Sequence, residues 1–205
     1  MTTPHIDVDV AERELLSTGY AQLGKILKRD HCLELRGMYA DPDHFRSRID
    51  MARYRFGRGE YQYFRYPLPS VVQHIRQTLY AGLAPIAVSW MSALGHADQY
   101  PADHDNFLER CRQAGQTTPT PFLLRYGRGV YNCLHEDIYG AVVFPFQVII
   151  ALSERGSEYQ GGELLLVEQQ PRAQSKGQAI TLEQGEAFVI TTRHRPVPGT
   201  RALTK

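Results

Sequence analysis

Cysteine is scarce in this chain: Cys32, Cys111 and Cys133 are all there is in 205 residues. They are odd in number, widely spaced and form no CxxC, which argues against a disulfide framework or a zinc site and leaves three reduced thiols. An excess of charge of either sign is also lacking. Lys and Arg total 23 against 22 Asp and Glu, a formal +1. No global field therefore draws the chain to nucleic acid or to an anionic membrane, and any such binding has to come from a local patch. No apolar run approaches the roughly 20 residues that a membrane span needs. The opening Met1-Thr2-Thr3-Pro4-His5-Ile6-Asp7 has neither the basic start nor the apolar core of a secretory signal. These absences predict a cytoplasmic protein with no membrane partner. There is no internal repeat and no low-complexity tract.

What is present is an ordinary soluble composition. A hydrophobic fraction of 42% with 22% charged residues excludes a disordered or fibrous chain, and the length suits one domain around one well-buried core.

The first 118 residues read mainly as helix. Residues 10–20 and 30–36 are predicted helical, with Asp30 as N-cap of the second helix and Gly37 as its stop; Tyr20-Ala21-Gln22-Leu23 between them reads as a short strand. Residues 53–56 and 61–66 are rich in aromatics and flank Gly57-Arg58-Gly59-Glu60, which predicts a hairpin that Pro67 and Pro69 stop. Residues 70–94 carry apolar side chains at helical spacing, and Pro85 is expected to divide them into two helices, the second holding Trp90. Residues 105–114 predict a further helix ended at Gly115. Beyond Pro119 the pattern changes to short strands at 122–126, 130–137, 146–152, 163–168, 179–182 and 187–191, punctuated by glycines, the signature of a sandwich or barrel. The expected fold class is α+β: one domain over 1–205, in which 1–118 give helical support with a β-hairpin and 119–205 a β-roll core.

Chemistry concentrates in Tyr131-Asn132-Cys133-Leu134-His135-Glu136-Asp137-Ile138-Tyr139-Gly140. On a strand, alternation turns His135 and Asp137 to one face, with Cys133 and Tyr131, and turns Asn132 to the other. An imidazole and a carboxylate side by side are two of the three groups that hold a non-haem Fe(II) while leaving coordination positions open. The blander reading is a hydrogen-bonded pair at a sheet edge. Cys133 could lie near the metal, although a small buried hydrophobe is the simpler reading. A second match, His96-Ala97-Asp98, stands between Gly95 and the polar, proline-marked residues 99–105 and reads as a loop pair that assists a turn.

With Gln160-Gly161-Gly162-Glu163-Leu164-Leu165-Leu166 and Gln184-Gly185-Glu186-Ala187-Phe188-Val189-Ile190 following in that order, the chain resembles the 2-oxoglutarate and Fe(II)-dependent oxygenases. Gly59-Glu60-Tyr61, Tyr66-Pro67-Leu68-Pro69, Gly115-Gln116, Pro119-Thr120-Pro121 and the 131–140 segment look like a bacterial branch proposed to repair damaged nucleic acid by oxidation. That likeness runs from about Tyr20 to Arg201. The resemblance implies a double-stranded β-helix, of the jelly-roll or cupin kind, with His135 and Asp137 as the catalytic iron ligands. It implies 2-oxoglutarate and O₂ as cosubstrates, succinate and CO₂ as products, and hydrogen taken from the substrate, the protein supplying geometry and the exclusion of water. On an N-methylated base, hydroxylation of the methyl group gives a hemiaminal that loses formaldehyde, and a base in duplex has first to leave the stack.

The resemblance also implies a second histidine from a later strand and, beyond it, a basic residue for the 2-oxoglutarate carboxylate. His194 is the late candidate for the metal, and Arg201, seven residues on, for the anchor, its guanidinium being suited to bidentate pairing. That spacing is short, and members of the branch continue past a similar Arg-Pro-Val-x-Gly-Thr-Arg segment into further strands. The alternative makes His194 a loop histidine, Arg201 a solvated arginine and the chain a shortened or inactive member. Two ligands would then hold iron loosely, and a sheet edge would be left exposed. Arg125, Tyr126, Asn132 and Gln147 are polar residues on or beside the strands. Tyr126 is a candidate donor to the cosubstrate, against a core tyrosine with its hydroxyl satisfied.

A local patch for nucleic acid also exists. Arg46, Arg48, Arg53, Arg55, Arg58 and Arg65 interleave with Tyr54, Phe56, Tyr61, Tyr63, Phe64 and Tyr66, the combination with which single-strand binders neutralise phosphates and stack bases. The competing reading is an amphipathic hairpin with packed aromatics and solvated arginines. A small molecule or protein side chain as substrate, or a metal-free binding module, complete the alternatives.

Overall fold

The structure, a computed structural model, describes residues 6–97, 99–169 and 172–197. Helix α1 (Val8–Thr18) starts where the Asp7 carboxylate accepts the Val10 N–H and stops at Gly19, whose left-handed φ of 84° lets its N–H reach the Leu15 carbonyl. Strand β1 (Tyr20–Lys25) follows, over and just beyond the expected residues 20–23. Helix α2 (Arg29–Met38) has Lys28 at its N-cap with no side-chain cap. Asp30 therefore does not cap the helix; it lies in the first turn, where its charge opposes the helix dipole's positive end. Nor does Gly37 stop the helix, because burial of Cys32 and Leu35 holds it through to Met38 at the modest cost of an internal glycine.

The expected hairpin is also corrected. The strand that pairs with β4 (Glu60–Phe64) is β2 (Phe45–Asp50), and residues 51–54 coil into a 3₁₀ turn capped by the Asp50 carboxylate. Helix α3 (Ser70–Ala93) is unbroken at Pro85. Leu83, Ala84, Ile86, Ala87 and Trp90 around the proline are all buried, and that packing outweighs the roughly 3 kcal/mol that a proline costs inside a helix through its lost hydrogen bond and ring clash. Helix α4 (His104–Gln113) is capped by Asp103, which accepts from Asp105 and Asn106, and ends before Gly115 at φ 79°.

Four antiparallel sheets use the remaining strands β3 (Gly57–Arg58), β5 (Phe122–Arg125), β6 (Tyr131–Asn132), β7 (Phe146–Ile150), β8 (Leu164–Glu168), β9 (Lys176–Ile180) and β10 (Glu186–Thr191). Their orders are β1-β10-β7, β2-β4-β5, β3-β6 and β8-β9. The architecture is α+β, and the described strands do not close into a barrel. Three of these sheets span residue 118, since β1 joins β10, β4 joins β5 and β3 joins β6. Strand β10 holds the layers together: Val189 packs with Trp90, Tyr80 and Phe146 under the helices, while Phe188 packs with Ile180 and Leu182. Ala187, Phe188 and Val189 are completely buried, which explains the continuous apolar run of this strand. No helix among the described residues is long and apolar enough to cross a membrane.

Candidate functional site

The His-x-Asp segment is not a strand. Pairing ends after Asn132 in β6, and residues 133–143 form a tethered loop. At its entrance the Cys133 N–H donates to the Phe56 carbonyl at 2.7 Å. At its exit Gln116 clamps the chain in both directions: its amide donates to the Val142 carbonyl at 2.9 Å and its oxygen accepts the Val142 N–H at 2.7 Å. Gly140, at φ 80°, passes so close to this clamp that a Cβ there would lie 2.5 Å from Gln116 Cδ. Tyr100 donates to the Val143 carbonyl at 2.8 Å, and Phe144 packs on Tyr80, Tyr100 and Phe107. The loop is thus anchored to the main core just before β7 begins.

His135 and Asp137 converge inside this loop by a route other than strand alternation. His135 Nδ1 lies 2.8 Å from the Cys133 carbonyl. A carbonyl oxygen can only accept, so Nδ1 carries the proton; the ring is held in place and Nε2 is left facing Asp137 Oδ2 at 3.5 Å. Asp137 is oriented in turn: Gln147, on β7, donates to Oδ2 at 2.8 Å, and the Tyr139 hydroxyl donates to Oδ1 at 3.3 Å. A neutral imidazole nitrogen and a carboxylate oxygen are both acceptors, and two acceptors facing each other need a proton or a cation between them. A cation about 2.1 Å from each would span this separation. The His135 side chain is 47% exposed and that of Asp137 22%, so the pair is reachable from solvent yet supported from behind. The residues therefore fit as two ligands of a metal ion, each with the outer hydrogen bond that such ligands carry.

Tyrosines surround the carboxylate. Tyr126 is 49% exposed and not a core tyrosine; partial burial still raises its pKa, a hydrogen bond from Asn132 opposes the rise and the Asp137 charge adds to it. Burial likewise raises Tyr139, with Asp137 contributing by charge and hydrogen bond. Tyr63 is raised by burial and then by Tyr61, Tyr139 and Asp137. All three phenols remain protonated donors at neutral pH. Tyr61, Tyr63 and Phe122 pack ring to ring at 5.3 to 5.4 Å, forming an aromatic wall next to Tyr139.

The other candidates separate clearly. Among the described residues, no three His, Cys, Asp or Glu side chains form a metal-holding group, so His194 does not join His135 and Asp137. Its carbonyl accepts from Trp90 Nε1 at 2.9 Å and Thr191 Oγ1 at 3.0 Å. Its imidazole has a pKa lowered by burial and by the nearby charges of Arg193 and His96. The backbone of this turn is thereby fixed to α3 and β10, which holds the ring apart from the pair. Arg201 and Asp98 lie outside the described residues, and His96 is exposed just after α3. Tyr131 is 53% exposed rather than turned inward. Cys133 is an exposed thiol, not a buried hydrophobe; its contribution is its backbone. A depression of about 620 Å³ lined by Arg48, Asp50, Gly59, Glu60, Arg125, Gly127 and Val130 includes neither His135 nor Asp137. Sequence reasoning missed Tyr139 and the Gln116 clamp, for which the glycine at 140 was the available signal.

Residues 59–205 match a family described as an oxygenase catalysing oxidative methylation of damaged DNA, and the chain belongs to that family. Two curated proteins from two strains of Mycobacterium tuberculosis, both named only as uncharacterized, are each 49% identical to it over 138 residues. The match covers 67% of this chain and 59% of each relative, so the chain spans less than two thirds of their length. No solved structure gives a significant match.

Proposed function

We propose that the chain is an oxygenase that uses Fe(II) and 2-oxoglutarate to oxidise damaged nucleic acid, in the simplest case by hydroxylating an N-methyl group that then leaves as formaldehyde. The observation that carries this reading is the convergence of His135 Nε2 and Asp137 Oδ2 to 3.5 Å, with Nδ1 already committed to a carbonyl, in a member of an oxygenase family. His135 and Asp137 would hold the metal, which when bound supplies, with 2-oxoglutarate and O₂, the oxidising power that side chains lack. Gln147 keeps Asp137 Oδ2 turned toward His135 and raises the cost of any other rotamer. Tyr126, whose protonated hydroxyl feels the Asp137 charge, would donate a hydrogen bond to a carboxylate cosubstrate. Tyr61, Tyr63 and Phe122 would give an entering base an aromatic wall beside the pair. The sheet β1-β10-β7 and the ribbon β8-β9, which share Phe188 as packing centre, we read as parts of a double-stranded β-helix. We place the activity in the cytoplasm, where Cys32, Cys111 and Cys133 stay free.

The test is succinate formation with Fe(II), 2-oxoglutarate and O₂. The reading predicts stimulation by N-methylated single-stranded oligonucleotide, with formaldehyde released in step, and none by the unmodified strand. Stimulation by small-molecule pools alone would move the substrate elsewhere, and no succinate with any substrate would refute the oxygenase reading of this chain.

A further inference from the structure

The arginine and aromatic residues of 46–66 divide in the fold into two groups with different surroundings. Phe64 is buried with Phe45 in a core, and Tyr61 and Tyr63 pack on Phe122. Arg48 pairs with Glu60, and Arg46 lies 4.5 Å over the Tyr63 ring. These have structural work. Tyr54 and Phe56 do not: they are 50% and 46% exposed and stack on each other, centroids 5.5 Å apart and planes at 21°. Arg53 lies 6.0 Å over the Tyr54 ring, and among the described residues Arg53, Arg55 and Arg58 have no carboxylate partner. Three uncompensated guanidinium groups thus stand within six residues of a solvent-facing ring stack, on a chain whose net charge is only +1.

This loop is joined to the candidate site. Gly57 and Arg58 pair with Asn132 and Tyr131, and the Phe56 carbonyl takes the Cys133 N–H. Directly opposed residues share a face, so Arg58 lies beside the exposed Tyr131. The backbone is fixed: Gly57 has φ 134° and a Cβ there would lie 2.3 Å from the Tyr131 carbonyl oxygen. From Asn132 to His135 the chain can span at most about 11 Å, a few stacked nucleotides at about 3.4 Å each.

We propose that Tyr54, Phe56 and Tyr131, with Arg53, Arg55 and Arg58, form a stacking platform that receives single-stranded nucleic acid and leads it to the His135–Asp137 pair. The inference rests on the nucleic-acid reading above for its substrate, but not on metal or turnover. Aromatic faces continue the base stack and arginines take the phosphates, which selects a single strand over a duplex whose bases are already stacked.

Fluorescence anisotropy with a labelled, unmodified short oligothymidylate tests it over a range of salt. The Tyr54→Ala/Phe56→Ala variant is expected to weaken binding by about tenfold or more. Tyr54→Leu/Phe56→Leu, which keeps apolar bulk and protects the fold, should lose about as much. Arg53→Gln/Arg58→Gln should reduce the slope of log K against log salt by about 1.4. Wild-type failure to bind the strand, equal affinity for a duplex of the same length, or aromatic variants that bind unchanged would each overturn the platform. If this pattern holds while succinate formation is absent, the platform stands and the catalytic reading falls; turnover with unchanged aromatic variants gives the reverse.

Discussion

Replacing Gln147 by Leu removes one hydrogen bond from the proposed metal centre and little else. The side chain is half-buried on β7, its backbone pairs with Ile190, and its amide donates to Asp137 Oδ2 at 2.8 Å. A hydrogen bond to a charged group is worth about 1.5 to 3 kcal/mol, roughly 10- to 150-fold in an equilibrium constant. That agrees with the 10- to 100-fold, in round terms about thirtyfold, loss of metal affinity typical when an outer partner of a metal ligand is removed. Leucine keeps the bulk and the β7–β10 pairing, so the metal-free protein should lose no more than that one hydrogen bond, about 1.5 to 3 kcal/mol. The assay is anaerobic titration with Fe(II), alongside urea unfolding of the metal-free protein. An affinity equal to wild type would refute the reasoning, because it would mean that the Asp137 carboxylate needs no orientation or holds no metal. A collapse of stability together with affinity would show instead that Gln147 serves the fold.

Three further outcomes follow from the same geometry. Gly140→Ala sets a Cβ 2.5 Å from Gln116 Cδ at φ 80°; it should cost about 1 to 3 kcal/mol in thermal unfolding and weaken metal binding through the disturbed clamp. Cys133→Ala should leave metal binding unchanged, since the carbonyl and not the thiol holds His135, and a large loss in titration would restore the thiol as a ligand. His104 packs 5.1 Å from the Tyr80 ring, and burial, then Arg76, lowers its pKa from 6.5 to about 4. The unfolded chain therefore takes up a proton below about pH 6.5 that the native state refuses until about pH 4. Stability should fall as pH drops through that window, by up to about 3 kcal/mol, and level off below it. Urea unfolding at several pH values checks this, and His104→Gln should flatten the dependence.

Elements with strong local patterns were legible from the chain alone. Strands β7, β8 and β10 are apolar runs bounded by turn residues, and α4 carries an Asp103 cap and a Gly115 stop. What misled was local chemistry that competes with periodicity. The aromatic stretch at 53–56 imitates a strand, but the Asp50 carboxylate capping Ala52 N–H coils the chain just before it. The less conspicuous alternation of Phe45, Ser47 and Ile49 supplies the partner of β4. Likewise His135 and Asp137 were identified as a pair on the assumption of a strand, whereas the His135 ring takes the Cys133 carbonyl and the segment leaves the ladder. Proximity was readable and its cause was not. Gln147 stood out as the one polar side chain in an apolar strand; Gln116 and Tyr139 act through contacts that only the folded chain creates.

The central claim is that His135 and Asp137 hold one ferrous ion. Anaerobic equilibrium binding of Fe(II) to the wild type, His135→Ala and Asp137→Ala tests it most directly. One ion per chain in the wild type, with affinity lost by at least about tenfold in each variant, is the predicted result. Equal Fe(II) binding by all three proteins would contradict it.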